Sequence, residues 1–534
     1  MRVLKEMDII SSSDTCTPHA LVVPSTGQGH VVGAMLLAQS LAALGFKVSF
    51  IYFSSYHAIL KERNRLVLPS PELRGDTPST LSTRCGDRCS NGNGSDDCST
   101  NTAPTIVSDA VEVDDSAPAV ECNGSSGGRG KIFLHVLEDA FEPGDINKYF
   151  FVTPAMKENL FNLIVELREQ GDPATCLISD SFVPWTLEVT QRAAIPRIEL
   201  WTSNALSHLL FSNLDVLYSE GIFPEKGSPT QWKSESPLMI THIPGLPPVS
   251  SELVPQELRF ADSSNHFVQF FLEVASCVKS GERVLINSLL ELEPDAFKSF
   301  EVQGIPSYAI GPLPTQTKTE DNVQTECLSW LDLQSESSVI YVAFGSFAKL
   351  SVEEMQELAV GLEASGNPFL WVIREDSATM EELPQVLPEG FLERTKGKGM
   401  IISWAPQVKV LAHKAVGGFF SHCGWNSTVE SLWAGVPILC CPRFAEQRFN
   451  CHYLCNVWGA GLELGRTETG GLDRSLVEGG VKALLHEEGG HKARSKAQEI
   501  MHLIEKTSQQ GGQSFSNLQK LYDDMRALCS KPSK

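Results

Sequence analysis

The sequence predicts an α/β fold with parallel sheets, in a chain long enough for two or more domains. Three observations carry this. The first is length: 534 residues are more than one hydrophobic core usually organises. The second is a βαβ start. Residues 20–24 (ALVVP) read as a short strand, STGQGH as a glycine turn, Val31 to Leu44 as a helix with an apolar stripe, and Lys47 to Phe53 as the next strand. The third is a similar unit near residue 420. Val416 to Ser421 reads as a buried strand and His422 to Trp425 as the turn leaving it. Asn426 to Ala434 reads as a helix, ended by Gly435 with Pro437 beyond.

Composition narrows the class. The chain is 42% hydrophobic and 20% charged, as in ordinary globular proteins. A net charge of −22 argues against a nucleic-acid partner. No apolar run has the length of a membrane span, and the first residues, MRVLKEMDIISSSDTCTPH, lack the apolar core of a signal peptide. Fourteen cysteines are scattered without a small-domain framework, which predicts reduced thiols and a cytoplasmic protein.

Taken in order, the chain is interrupted at about residues 74–130. Gly, Ser, Thr, Asp and Asn dominate there and aromatics are absent, so a disordered surface insertion is expected. Cys85, Cys89, Cys98 and Cys122 within it lack the C-x2-C spacing of zinc sites. The pattern resumes at Lys131, with a helix expected over about Pro154 to Gln170 and a strand over Leu177 to Ser179. Ala309 to Leu313 is followed by PTQTKTEDNVQTE, read as an interdomain linker. Beyond it, Val339 to Phe344 is a buried strand and Gly345-Ser346 its turn; Ser351 and Glu354 form a capping box for the next helix. Phe369 to Arg374 and Met400 to Trp404 are further strands. The expected division is 1–300, a linker at 301–326, a second domain at 327–508, and a final helix at 509–534 crossing back onto the first.

The chemistry gathers at strand ends. Where a strand's carboxyl end meets a helix start, free N–H groups and the positive helix end favour anions. His422, Trp425, Asn426, Ser427 and Glu430 surround one such start. Ser427 and Glu430 also fit the S-x-x-E capping box, so Asn426, Ser427 and Glu430 read either as caps or as ligand contacts. His30 and Asp180 lie at two other strand ends. Each reads as a cap or as a working group, and Ser346 as a turn serine or a contact.

The stretch Trp404 to Gln447 resembles the signature box of the plant-type UDP-sugar glycosyltransferases of secondary metabolism. WAPQ, HCGWNS, the glutamate three residues past the Ser, GVP and the closing acidic-Gln pair fall at the family's spacing. The resemblance implies a GT-B architecture: two Rossmann-like domains facing across a cleft. It implies inverting transfer from a UDP-sugar, with UDP-glucose expected, to a hydroxyl of a small lipophilic acceptor, with a flavonoid or other phenol expected. His30 then corresponds to the general base and Asp180 to its partner. Ser346, His422, Asn426 and Ser427 correspond to diphosphate contacts. Trp404 would stack on uracil beside Ala405 and Gln407, and Glu430 would bind ribose. Trp425, Glu446 and Gln447 would address sugar hydroxyls, and Thr202 would reach the transferred sugar.

Gln447 goes with glucose in this family. Phe267, Phe270, Phe271 and Trp232 fall where the acceptor pocket is built. The UDP-sugar is a co-substrate; no cofactor or metal is implied, and a monomer is expected. Gly33 replaces a common proline, Glu446 a common Asp, and Cys441 and Arg443 common aromatics. A non-catalytic UDP-sugar-binding protein is the alternative from another class; an intact His30 and Asp180 argue against it. A GT-B epimerase is the alternative among enzymes, against which the acceptor-side helices speak.

Overall fold

Apolar runs separated by glycine turns become two sheets with helices packed on both faces. The structure, a computed structural model, describes residues 17–55, 57, 107–111, 131–139, 152–219, 238–255, 258, 266–278, 283–313, 326–465, 467 and 471–529. The first sheet holds β1 (His19–Val23), β2 (Lys47–Phe53), β3 (Val107–Val111), β4 (Ile132–Leu137), β5 (Cys176–Asp180), β6 (Arg197–Trp201), β9 (Arg283–Ile286) and β10 (Ser307–Ala309). A small antiparallel pair, β7 (Met239–Ile240) and β8 (Val249–Ser250), stands apart from it. The order is β10-β9-β6-β5-β1-β2-β4-β3, parallel throughout except for β3 against β4. Every residue of β1 and β5 is buried, as a parallel strand covered on both faces requires.

Helices α1 (Gln28–Ala43), α2 (Pro154–Glu169) and α3 (Ala205–Ser212) follow β1, β4 and β6. Helix α2 starts cleanly: the Thr153 side chain accepts from Met156 N, and Pro154 occupies the first turn, where no N–H is missed.

The second sheet contains β11 (Val339–Ala343), β12 (Phe369–Val372), β13 (Gly399–Ile402), β14 (Val416–Ser421), β15 (Ile438–Cys440) and β16 (Gly461–Glu463). Its order, β13-β12-β11-β14-β15-β16, is the 3-2-1-4-5-6 pattern of a doubly wound dinucleotide fold. Helix α4 (Val352–Ser365) follows β11 and carries the expected capping box between Ser351 and Glu354. Helices α5 (Trp425–Trp433) and α6 (Gln447–His452) follow β14 and β15.

This topology fixes where a ligand belongs. In each sheet the connection reverses direction at one point, and crevices open outside the carboxyl ends of the strands there. In the first sheet that point lies between β1 and β5, in the second between β11 and β14.

Two expectations change. The insertion at 74–130 contains a strand: β3 pairs with β4 from Val107↔Val136 to Val111↔Ile132. The remainder of that stretch, with its four cysteines, lies outside the described residues, as does Trp232. The linker read as starting at 301 starts later, because Ser307–Ala309 is the edge strand β10 of the first sheet.

Helix α7 (Gln513–Cys529) returns to the first sheet. Leu518, Leu521 and Met525 join the core that α1 and β1 build. Tyr308 Oη donates to Asp524 Oδ2 at 2.6 Å, and Asn517 Nδ2 donates to the Ala309 carbonyl at 2.8 Å. Leu521 is fully buried. Leu521→Ala should therefore cost about 2–5 kcal/mol of unfolding free energy, the usual cost of a core Leu→Ala. Urea denaturation measures it, and a change within that of an exposed leucine would show that α7 is not held in this core.

Candidate active site

The first half of the site is built at the β1/β5 switch point. Helix α1 begins at Gln28, so His30 lies inside its first turn, three residues earlier than the apolar pattern places the helix. Asp180 is the last residue of β5 and is 1% exposed. His30 Nδ1 lies 2.8 Å from Asp180 Oδ2. The other carboxylate oxygen, Oδ1, accepts from Phe182 N at 2.8 Å, so the carboxylate cannot swing away. With a carboxylate on Nδ1, that nitrogen carries the proton and Nε2 keeps its lone pair. His30 keeps 29% of its side-chain surface open and lines the cleft.

Burial pulls the His30 imidazole down, but the charge and hydrogen bond of Asp180 and the charge of Glu446 outweigh it, and the ring stands above its ordinary 6.5. Thr202 Oγ1 also lies 3.2 Å from His30 Nδ1. A Cβ at Gly33 would sit 3.3 Å from Thr202 Cγ2, so the glycine that replaces a common proline gives this threonine room.

The second half is built at the β11/β14 switch point. His422 is wedged between two glycines. A Cβ at either Gly345 or Gly424 would fall 2.4 Å from its Nε2, and Gly345 has φ +71° besides. Between His422 and Gly424, Cys423 holds φ +64°, a conformation a non-glycine residue adopts only when its surroundings impose it. Burial, with the Arg374 guanidinium nearby, brings His422 down to about 4, so the ring is neutral at pH 7. Its Nδ1 is buried without a hydrogen-bond partner among the described residues.

Helix α5 starts at Trp425 with Gly424 as N-cap and no side-chain cap. The capping-box reading of Ser427 and Glu430 is thus corrected. The helix begins three residues earlier than that box needs, and both side chains turn to Gln407 instead. Gln407 Nε2 donates to Glu430 Oε2 at 2.7 Å and to Ser427 Oγ at 3.0 Å, while its Oε1 accepts from Tyr341 Oη at 3.2 Å. Burial pushes the Glu430 carboxyl up to about 7, partly offset by the Gln407 amide.

Other expected contacts sit differently from a plain reading. The Trp425 side chain is buried, and its Nε1 donates to the Asn287 carbonyl at 2.7 Å, so only its backbone N–H at the helix start remains for a sugar. Gln447 is buried too, and its Oε1 accepts from Arg443 N at 2.9 Å and Phe444 N at 3.1 Å. Only its NH2 is left to face a hydroxyl. Asn426 Nδ2 donates across the cleft to Gly29 O at 2.8 Å. Ala445, at φ +51°, turns Glu446 towards the first domain, where Glu446 Oε1 accepts from Ser203 Oγ at 3.3 Å. Trp404 is 51% exposed, an aromatic face open to stacking.

One cleft of about 890 Å³ unites the two halves. His30, Thr202, Ser346, Trp404, Ala405, Gln407, His422, Trp425, Asn426, Ser427, Glu430, Glu446 and Gln447 all line it; Asp180 stands behind His30. Its first-domain wall is apolar, with Phe182, Trp201, Phe211 and Phe271. Phe182 meets His30 edge-on at 5.0 Å and stacks on Phe270 at 6.2 Å. The Phe267 side chain lies outside the described residues.

Sequence reasoning missed Tyr341, Asn287 and Phe182, which act through partners distant in sequence. It also gave Arg443 no role. Arg443 Nη2 pairs with Glu354 at 2.7 Å and ties the loop after β15 to the start of α4.

With this geometry in hand, comparison with known proteins is direct. Residues 306–489 match the family described as UDP-glucoronosyl and UDP-glucosyl transferase. UDP-glycosyltransferase 85A7 of Arabidopsis thaliana is 31% identical over 522 residues, covering 94% of this chain and 96% of that protein. A 7-deoxyloganetin glucosyltransferase of Catharanthus roseus is 30% identical over 542 residues, covering 99% and 100%. Among solved structures, a UDP-glucosyltransferase from Polygonum tinctorium capable of glucosylating indoxyl superposes with a TM-score of 0.72 at 26% identity, over 97% of this chain and 100% of that one. The two facing parallel sheets are those of the GT-B fold. The chain belongs to the plant UDP-glycosyltransferase family and is a glycosyltransferase.

Proposed function

We propose that this enzyme transfers glucose from UDP-glucose, with inversion, to a hydroxyl of a small lipophilic acceptor. The observation that carries the reading is the His30–Asp180 pair, which faces the start of α5 across one cleft. His30 Nε2 takes the proton of the acceptor hydroxyl, and Asp180 holds the ring and stabilises the imidazolium that forms. The freed oxygen attacks the anomeric carbon from the side opposite UDP. The bond to the diphosphate breaks, and the negative charge collects on UDP. Ser346, His422, Asn426, Ser427 and the positive end of α5 meet that charge.

Trp404 stacks on uracil beside Ala405 and Gln407, and Glu430 binds ribose. Glu446, the Gln447 amide, the Trp425 backbone N–H and Thr202 address the sugar. The reading gives no metal or cofactor a role in the transfer, and takes the protein as a cytoplasmic monomer. No helix among the described residues is long and apolar enough to cross a membrane.

The aromatic wall formed by Phe182, Trp201, Phe211 and Phe271 supports a flat acceptor such as a flavonoid or simple phenol. The relative named for 7-deoxyloganetin favours a second reading, in which the acceptor is of that kind. Product formation from UDP-glucose with a flavonoid, a phenol and 7-deoxyloganetin, read by mass spectrometry, separates them; no product with any acceptor would return the non-catalytic reading.

His30→Ala should lower the transfer rate on the order of 10²-fold or more and leave UDP-glucose affinity nearly intact, because the base sits apart from the nucleotide. Near-normal turnover would remove His30 from the mechanism. Because the base works neutral and its pKa is raised, kcat/KM should fall on acidification with a midpoint above 6.5. Glu446→Gln should move that midpoint down, and an unmoved midpoint would contradict the electrostatic role of Glu446.

Glucose and galactose differ in the direction of one hydroxyl. A donor aimed at one arrangement is left unpaired by the other, at a cost of roughly 1–3 kcal/mol, or about ten- to hundredfold in preference. UDP-glucose should be favoured by that factor in direct competition with UDP-galactose, and Gln447→His should narrow it. Equal use of both sugars by the native enzyme would end the glucose assignment.

A further inference from the structure

Beside the donor turn lies a group of cysteines that the transfer reaction does not use. Cys423 follows His422 in that turn, Cys440 ends β15, and Cys451 sits on α6. Their three Sγ atoms lie within 4.8 Å of one another, and all three side chains are buried. Cys455, one turn beyond Cys451, lies at the edge of this group. A Cβ at Gly461 would meet Cys440 Sγ at 3.1 Å and Cys455 Sγ at 3.6 Å, so the absence of a side chain there leaves the sulfurs their shared space. All four are free thiols. Around them the packing is apolar, with Leu289, Leu432, Ile438 and Leu454 among the neighbours.

This is the donor set of a soft cation rather than of a hard one, since sulfur ligands select zinc-like and copper(I)-like ions over magnesium or calcium. Zinc–thiolate bonds of about 2.3 Å in tetrahedral geometry place sulfurs about 3.8 Å apart. The Sγ atoms of Cys423, Cys440 and Cys451 need a contraction of no more than about 1 Å to reach that spacing. We propose that Cys423, Cys440 and Cys451, with Cys455 as the fourth ligand, form a structural site for a thiophilic cation of the zinc class. Each ligating thiol releases its proton to solvent on binding. Since Cys423 adjoins both His422 and the N-cap of α5, an ion held there would stiffen the turn that faces the diphosphate.

The test titrates the reduced, full-length protein with Cd²⁺ and follows the ultraviolet thiolate-to-cadmium charge-transfer band. The expected result is one ion per chain, with a band that is lost in Cys440→Ser and in Cys451→Ser. The band should persist when Cys85, Cys89, Cys98 and Cys122 are all replaced by serine. Zn²⁺ should raise the melting temperature of the native chain and not that of Cys451→Ser. If Cys451→Ser fails to fold, the half-buried Cys455→Ser takes its place and should weaken cadmium binding. No band in the folded native protein, a band indifferent to Cys440, Cys451 and Cys455, or one abolished by the four distant serines would overturn the proposal.

Discussion

Two hydrogen bonds set the working distance of this molecule. Asn426 Nδ2 reaches the Gly29 carbonyl at 2.8 Å, and Trp425 Nε1 reaches the Asn287 carbonyl at 2.7 Å. Both leave the first turn of α5 and end on the other domain. Gly29 adjoins His30, and a Cβ there would meet Asn426 Nδ2 at 3.0 Å, so a larger residue would press on this contact. His30 and the first turn of α5 are thereby held as one unit. Asn204 Nδ2 to Asn450 Oδ1 at 2.6 Å and Ser203 Oγ to Glu446 extend the same seam.

Within that frame, one cleft holds titratable groups in opposed states. His30 is raised by a carboxylate held behind it, and His422 is lowered by burial and by Arg374. The first suits proton transfer near neutrality. The second is a neutral ring, which adds no fixed charge to the cleft that would need a partner. Glu430, raised towards 7, is tied to Gln407 and so keeps its orientation. A chain of net charge −22 can receive an anionic donor because the local field at α5 is made by backbone dipoles and not by overall charge.

The parts of this legible in the sequence were those written locally. The strand–turn–helix units at His30 and at His422 follow from apolar runs and glycines, and each donor contact singled out within the box from Trp404 to Gln447 lines the cleft, although Tyr341, Phe344 and Arg374, outside the box, line it too. The Ser351–Glu354 capping box was read correctly, whereas the same pattern at Ser427 and Glu430 misled. There the helix starts on Gly424, and a glutamine twenty residues upstream claims both side chains. Strand β3 was hidden because TIVSDAVEV, a β-branched run, sits in a stretch whose overall composition signals disorder. Asn287 and the pairing of Arg443 with Glu354 could not be found from sequence, since the partners are 138 and 89 residues apart.

In the transfer proposed above, His30 faces the reacting oxygen across the cleft from the start of α5. A crystal structure of the enzyme with UDP and a turned-over acceptor tests it most directly. The acceptor hydroxyl is expected within about 2.6–3.2 Å of His30 Nε2, with the diphosphate against the first turn of α5. An acceptor hydroxyl resting on another titratable side chain, with His30 turned from it, would remove His30 from the reaction.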